Sequence, residues 1–457
     1  MRSMAFMKKY KLEMAIFALA LIVRCLYLGM SIEAWGGNVN GAVEGSDYYF
    51  VLSENILAGH GFSIAAQPPY ELNSFRTPIM PYFLVAAHTV FGDYGGVVLF
   101  QILIASLLPL LGMSLAWSIA RERWVSLAVG IFLALEPYTI LFSTIFYSET
   151  IFTAIFFVSL IYFFKYLEDR RFLHLIFSGA FMGFAMLTKP TVEFLPFFLG
   201  AVVLWVWRSD IKRELMHVAL FCTVCALVVS PWVYRNYVVT DSLGLSPQTG
   251  VNLYAVLWPS VLSMKNGTSF QTEFSKLIES GVSGPNNASV KESAQDLKIV
   301  VPLLLQNPIP LTLVSANTAL SFFVHDGVYD VLRHLEINPD RFLGGPALFV
   351  AIKDPGAFLK LVIHFIQTPF VLILIARIFW VAFTALGVFG TVQYLRYERK
   401  PAGIAAVIII LYFMLTTLIV GLAVNARYRL PVNVFIATFA FSASVPLIAR
   451  LRPRHEL

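Results

Sequence analysis

The residues of this sequence that could do chemistry are two carboxylates and a set of cations, each set in apolar surroundings. Asp47 stands in a stretch that reads EGSDYYFVLSENILAGHGF. Glu149 (YSET), Lys189 (LTKP), Arg235 (PWVYRNY), Arg427 and Arg429 (NARYRLP) fall at the ends of apolar runs, and Arg76 (FRTP) follows Asp47 in the same loop. Ionisable groups near membrane depth are costly and usually functional. Arginine can hold a phosphate through two parallel hydrogen bonds and lysine as a point charge. A carboxylate beside them can take the proton of a hydroxyl. Together they describe group transfer from a lipid-phosphate carrier to an alcohol. Each residue alone has a plainer use: Ser46 or Asp47 can cap the helix that follows, and cations at span ends snorkel to water.

The elements that must position this set are membrane helices. Of 457 residues, 58% are hydrophobic, 15% aromatic and only 13% charged, and the mean hydropathy is +0.74. Soluble domains carry about 25% charged residues, so a soluble globular chain is excluded, as is a disordered or fibrous one. A spanning helix needs about 20 mostly apolar residues. The sequence predicts an all-α polytopic membrane protein of about ten transmembrane helices. They fall near 12–30, 95–120, 124–140, 150–166, 172–187, 192–207, 215–233, 369–395, 402–424 and 430–449. The chain divides into an N-terminal transmembrane module (1–233, with an outer loop 31–94), an extracytoplasmic segment (234–368) and C-terminal helices (369–457).

Sidedness follows from Lys and Arg in short loops. Arg2, Lys8, Lys9 and Lys11; Arg121 and Arg123; Lys165, Arg170 and Arg171; Arg208, Lys212 and Arg213; Arg396, Arg399 and Lys400; and Arg450, Arg452 and Arg454 fall on one side of this arrangement. That side is cytoplasmic, with both termini, and the chemistry-bearing set lies on the other. The apolar stretch 78–92 must then stay in the outer interface, because crossing would invert every later loop. The stretch 300–324, broken by Pro302, Pro308 and Pro310, is placed outside as a membrane-associated helix in a small outer lobe. Asp47 opens an amphipathic helix that runs to about Ala58, where Gly59 and Gly61 stop it. Tyr48, Tyr49, Tyr82 and Tyr254 could stack on sugar rings or serve as interfacial aromatics. Arg24 and Arg377 lie inside spans and need internal partners. Cys222 and Cys225 read as small residues on one helix face, and His60, His88 and His325 show no metal-ligand spacing.

These pieces resemble the GT-C glycosyltransferases, in particular the bacterial branch related to protein O-mannosyltransferases and to the lipid A aminoarabinose transferase. The matching pieces are Ser46-Asp47-Tyr48-Tyr49, Leu57-Ala58-Gly59-His60-Gly61-Phe62, Arg76-Thr77-Pro78 with Pro81-Tyr82, and Ser148-Glu149-Thr150. Leu187-Thr188-Lys189-Pro190, Pro231-Trp232 with Arg235-Asn236, and Arg427-Tyr428-Arg429-Leu430-Pro431 complete the series. The resemblance implies a polyprenyl-phosphate sugar donor, a glycan, lipid or protein acceptor, and transfer on the extracytoplasmic face. It implies that Asp47 is the catalytic base, that Glu149 positions the acceptor or touches a metal, and that Arg76 and Lys189 lie near the donor phosphate, with Arg235 or Arg427 assisting. Many relatives carry a second acidic residue after the loop aspartate. Here that residue is Tyr48, so a metal held by a paired acidic motif is not carried over, although a divalent ion stays open. A lipid-linked sugar flippase remains the alternative; it would line the bilayer middle with charge.

Overall fold

The computed structural model describes residues 10–282, 288–337, 354–368 and 370–443. Arg2, Lys8, Lys9 and the basic residues Arg450, Arg452 and Arg454 lie outside the described residues, as does the end of the last expected span. The described chain is helical throughout. Its main helices are α1 (Lys11–Ala34), α2 (Tyr49–Leu57), α3 (Ile79–Phe91), α4 (Tyr94–Ala120), α5 (Arg123–Leu135), α6 (Pro137–Thr144), α7 (Glu149–Asp169) and α8 (Phe172–Thr188). There follow α9 (Leu195–Val206), α10 (Ile211–Thr240), α11 (Val290–Leu305), α12 (Pro308–Val324), α13 (Val371–Tyr397), α14 (Pro401–Thr417) and α15 (Asn433–Ala443).

This is a multi-pass integral membrane protein. Among the described residues six helices are long and apolar enough to cross a bilayer, or eight if each of two bent pairs is one span. One bent pair is α5–α6, where the expected span 124–140 breaks by 50° at Glu136-Pro137. The other is α11–α12, bent by 104°, which places the proline-broken stretch near 300–324 in a folded hairpin. Helices α8, α9 and α15, three of the expected spans, are apolar but short. The outward faces are apolar: Ile22 and Leu26 of α1, Leu99 and Leu103 of α4, and Ile375 and Ile378 of α13 are exposed. A row of large exposed aliphatics on helix after helix is what a lipid solvent permits and water does not.

The inside is close-packed around α7, whose Phe152, Phe156, Phe157, Phe163 and Phe164 are buried. Phe156 meets Phe413 of α14 at 5.6 Å between ring centroids. Helices α8 and α10 approach closely because Gly179 and Gly183 have no side chain: a Cβ on Gly183 would lie 2.6 Å from Val228. Cys225 fits that seam, its thiol donating to the Gly179 carbonyl (3.3 Å). The small-residue reading of the cysteine pair therefore holds.

In a bilayer every backbone polar group needs an internal partner. Breaking α5 from α6 frees carbonyls at the end of α5, and Arg24 of α1 supplies donors to Leu133 O (3.3 Å) and Ala134 O (3.1 Å). At the other end of α6, the Gln101 amide donates to Phe142 O, Ser143 O and Ile145 O, and Thr150 donates to Phe142 O. The short α6 is thus held at both ends, and the chain leaves it through Phe146, whose N–H donates to Val43 O (2.7 Å). That fixes where Tyr147 and Glu149 begin. Arg377 pairs with Asp326 at 2.6 Å, so both intramembrane arginines are structural. Arg24→Met should leave the Ala134 carbonyl without its arginine donor, while Thr139 Oγ1 still donates to the Leu133 carbonyl (3.0 Å), and cost about 1–3 kcal/mol. Thermal inactivation in detergent, followed by size-exclusion chromatography, should show a lower midpoint; an unchanged midpoint would refute the role.

Candidate functional site

The site gathers where α7 begins and α8 ends. Glu149 is the first residue of α7 and Lys189 follows the last residue of α8; the Lys189 ammonium donates to the Glu149 carboxylate at 2.8 Å. The basic residues Arg121, Arg123, Arg170 and Arg171 lie at the opposite ends of α4, α5, α7 and α8, about 30 Å away along a helix of that length.

Asp47 enters from the first loop. It does not cap α2: the residue before the helix is Tyr48, with no side-chain cap. Tyr48 sits in the left-handed region at φ 61°, a conformation that costs a non-glycine residue energy and persists where its surroundings enforce it. Ser46 is held by Tyr147, whose hydroxyl accepts from the Ser46 N–H at 2.9 Å. Between these anchors the Asp47 carboxylate faces inward, with its side chain 14% exposed.

Arg427 arrives from the other end of the sequence. After α14 the backbone runs through short tight turns, and Asn425 Oδ1 accepts from the Arg427 N–H (3.0 Å). The Arg427 guanidinium donates to both Asp47 and Glu149, and stacks on Tyr147 at 4.6 Å. Arg76 completes the ring, 3.4 Å from Asp47 and over the Tyr49 ring at 5.2 Å. Its backbone is fixed by a turn in which Asn73 Oδ1 accepts from Phe75 N and Arg76 N. Thr77 next to it donates to Thr188 O at 2.9 Å, which ties the loop to the end of α8.

Of the five cations singled out in the sequence, three meet here. Arg235 does not reach the ring; it donates to the Asn73 carbonyl at 2.7 Å and lies over Trp232 at 4.7 Å, so it braces the turn that carries Arg76. Arg429 turns inward, donating to the Phe322, Phe323 and His325 carbonyls with its guanidinium 3.6 Å from the Trp380 centroid. Tyr49 is buried beside the ring. Tyr48 is exposed, and Tyr82 is exposed beside Phe62. Their aromatic character alone does not tell which side of a loop or helix a tyrosine faces. Sequence reasoning missed Tyr147 and Tyr428; the latter carries Lys189 over its ring at 5.9 Å. Their only signal was adjacency to residues already singled out.

Burial alone would raise the Asp47 carboxyl, but the Arg427 and Arg76 charges outweigh it and hold it at about 2. The same pairing keeps Arg427 charged against burial. Asp47, Tyr49, Arg76, Lys189, Arg427 and Tyr428 line the head of a cavity of about 670 Å³. Its other walls include Phe194, Phe198 and Leu415, which are exposed on the lipid-facing surface. The cavity thus runs from charge to lipid. Among the described residues no three His, Cys, Asp or Glu converge as metal ligands; the two carboxylates of the ring are instead joined by a guanidinium.

Residues 75–234 match the family model of dolichyl-phosphate-mannose-protein mannosyltransferases, which bears out the likeness to GT-C glycosyltransferases. That segment contains Arg76, Glu149 and Lys189. The chain is similar in structure to ArnT from Cupriavidus metallidurans bound to undecaprenyl phosphate (15% identity, 95% of this chain and 78% of that one, TM-score 0.38). It is also similar to the archaeal oligosaccharyltransferase AglB from Archaeoglobus fulgidus, in complex with an inhibitory peptide and a dolichol-phosphate (15% identity, 99% and 53%, TM-score 0.49). It spans about half the length of that oligosaccharyltransferase. No curated protein matches it by sequence.

Arg427→Met should leave Asp47 buried without its main partner, at a cost of about 3–5 kcal/mol. In the wild type the depressed Asp47 carboxyl contributes stability throughout the range above about 4, lost only as pH falls through about 2. In the variant burial dominates and the folded carboxyl rises above its unfolded value, so stability returns as pH falls from 7 to 5. The midpoint of Arg427→Met should therefore climb on acidification, and Asp47→Asn in that background should remove most of the climb. A pH-independent midpoint for the single variant would show that the pair does not hold the carboxylate.

Proposed function

We propose that this protein is a membrane glycosyltransferase that moves a sugar from a polyprenyl-phosphate carrier to a hydroxyl of a glycan, lipid or protein. One observation carries the reading: Asp47 and Glu149 meet Arg76, Lys189 and Arg427 at the head of a cavity whose far end opens to lipid. The prenyl chain takes the apolar end and the phosphate takes the cations. The position of Arg121, Arg123, Arg170 and Arg171 at the opposite helix ends supports an extracytoplasmic site and cytoplasmic termini. A flippase would need charge along the bilayer middle; the ring's charges all lie at one end.

The mechanism is inverting displacement. The acceptor oxygen attacks the anomeric carbon, the bond from that carbon to the phosphate oxygen breaks, and the hydroxyl proton passes to Asp47. Polyprenyl phosphate leaves with the bonding electrons. Three cations against two carboxylates give the ring one positive charge, which matches the single negative charge of the donor phosphodiester. As Asp47 is protonated the ring gains a second positive charge just as the leaving phosphate gains a second negative one. The interaction is therefore stronger in the transition state than in the ground state, which is the condition for catalysis.

A carboxyl held near 2 is a weak base. The donor phosphate competes for Arg427 and Arg76, and each cation it draws off lets Asp47 rise toward the ordinary carboxylate range. Donor binding thereby activates the base. Glu149 keeps Lys189 and Arg427 in place through the exchange. The residues present do not fit a divalent ion, since Arg427 already occupies the space between the two carboxylates.

Asp47→Asn should lower the turnover number by about 10²–10⁴ while undecaprenyl phosphate still binds; Lys189→Met should weaken that binding. Transfer from a radiolabelled polyprenyl-phosphate sugar, with native mass spectrometry for lipid binding, reads both. The acid limb of kcat/KM, which reports the free enzyme, should lie below pH 4, and the limb of kcat above it. Wild-type turnover by Asp47→Asn would remove the base assignment.

A further inference from the structure

Arg427 forms a wall between two cavities. Behind it, on the side away from the lipid-facing cavity, lies a second of about 730 Å³. Ser46 lines this second cavity while its neighbour Asp47 lines the first, so the Asp47 loop and the Arg427 side chain are the partition. The second cavity differs in chemistry. It presents the carboxylates Glu44, Asp330 and Glu336 and the aromatic rings of Trp35, Tyr138 and Tyr147.

Its walls come from four separate parts of the chain and are tied together. The Trp35 indole N–H donates to the His334 carbonyl at 3.1 Å. His334 bonds through Nδ1 to the Tyr27 hydroxyl and through Nε2 to the Ala42 carbonyl, both at 2.9 Å. Tyr138 donates to Asp330. Aromatic planes and carboxylates are thus set before any ligand arrives.

We propose that this second cavity is the acceptor site and that its ligand is a saccharide. The inference rests on the glycosyltransferase reading and names its acceptor. Carboxylates accept hydrogen bonds from neighbouring ring hydroxyls, and aromatic planes cover the apolar face of a sugar ring. Its three carboxylates outnumber the two guanidinium groups, Arg333 and Arg427, that share the lining, so the balance of charge disfavours a phosphorylated ligand here, as the cations favour one in the first cavity. The arrangement also supplies the geometry of inversion, in which nucleophile and leaving group occupy opposite sides of the anomeric carbon. A saccharide hydroxyl coming past Ser46 reaches Asp47 from one side while the donor phosphate lies among Arg76, Lys189 and Arg427 on the other. Its O–H proton goes to Asp47, its oxygen bonds to the anomeric carbon, and the carbon–phosphate-oxygen bond breaks.

The test uses the full-length protein in nanodiscs and two photoreactive probes, a methyl glycoside and a serine- and threonine-containing peptide, each bearing a diazirine. Cross-linked residues are mapped by mass spectrometry, and undecaprenyl phosphate binding is measured separately on the same preparations. The glycoside should label Trp35, Glu44 and Tyr147 saturably. Glu336→Gln, a conservative change at an exposed position, and Trp35→Ala should each lower that labelling by ~10-fold with undecaprenyl phosphate binding unchanged. Labelling of these residues by the peptide and not the glycoside would overturn the proposal, as would glycoside labelling confined to the first cavity or absent. Failure of undecaprenyl phosphate to bind would instead sink the donor reading, which the glycoside map does not depend on.

Discussion

The bidentate hold of Arg427 on Asp47 and Glu149 organises the end of the molecule where α7 begins and α8 ends. Two buried carboxylates cannot both stay ionised near each other without a cation between them, because desolvation and mutual repulsion both oppose it. One guanidinium removes both penalties, and its planar fork suits two carboxylates better than an ammonium would. The interaction joins residues 278 and 380 positions apart in sequence. It therefore closes the fold as well as the site: with the Phe146–Val43 and Ser46–Tyr147 bonds, it joins the first loop, the start of α7 and the turn after α14.

That closure depends on irregular backbone at a depth where irregular backbone is expensive. The stretch after α14 is tolerated because other side chains answer its polar groups. Ser260 Oγ accepts from the Leu422 N–H (3.1 Å), Thr318 donates to the Gly421 carbonyl (2.9 Å), and Gly421 takes a positive φ of 48° that favours glycine. Arg429, two residues beyond Arg427, spends its donors on three carbonyls at the end of α12. The same logic holds α6, where Arg24 and Gln101 substitute for helical partners. Polar side chains that look out of place in apolar segments, Arg24, Gln101, Thr318 and Arg429 among them, are the reason the chain can bend where the site needs it.

The sequence made the class of protein legible because hydropathy and basic-loop bias are summed over many residues. The ring was legible in part. Asp47, Arg76, Glu149, Lys189 and Arg427 share a position relative to apolar runs, and that position is what the pattern reports. Arg235 and Arg429 share it too, and they go elsewhere: one to the Asn73 carbonyl, the other beneath Trp380. Segment ends report depth but not azimuth, and a side chain's direction around a helix or turn is decided by which orphaned carbonyl lies nearest. The break at Glu136-Pro137 was written in the sequence as an acid and a proline inside an apolar run. Its partner Arg24 lies over a hundred residues earlier, which no local pattern connects.

The distribution of charge between the two cavities follows from the same partition. A guanidinium fully paired with carboxylates offers little field to either side, so in the donor-free protein the ring is nearly self-satisfied and the walls behind it can be acidic without collapsing onto it. An anion arriving from the lipid side changes that balance, because the cations it recruits are the ones that suppress Asp47. On the proposed reading the Asp47 carboxylate then rises toward the ordinary carboxylate range. If Asp47 is the base, as proposed, such a ring holds it weakly basic while no anion is bound and ties its basicity to occupancy through charge.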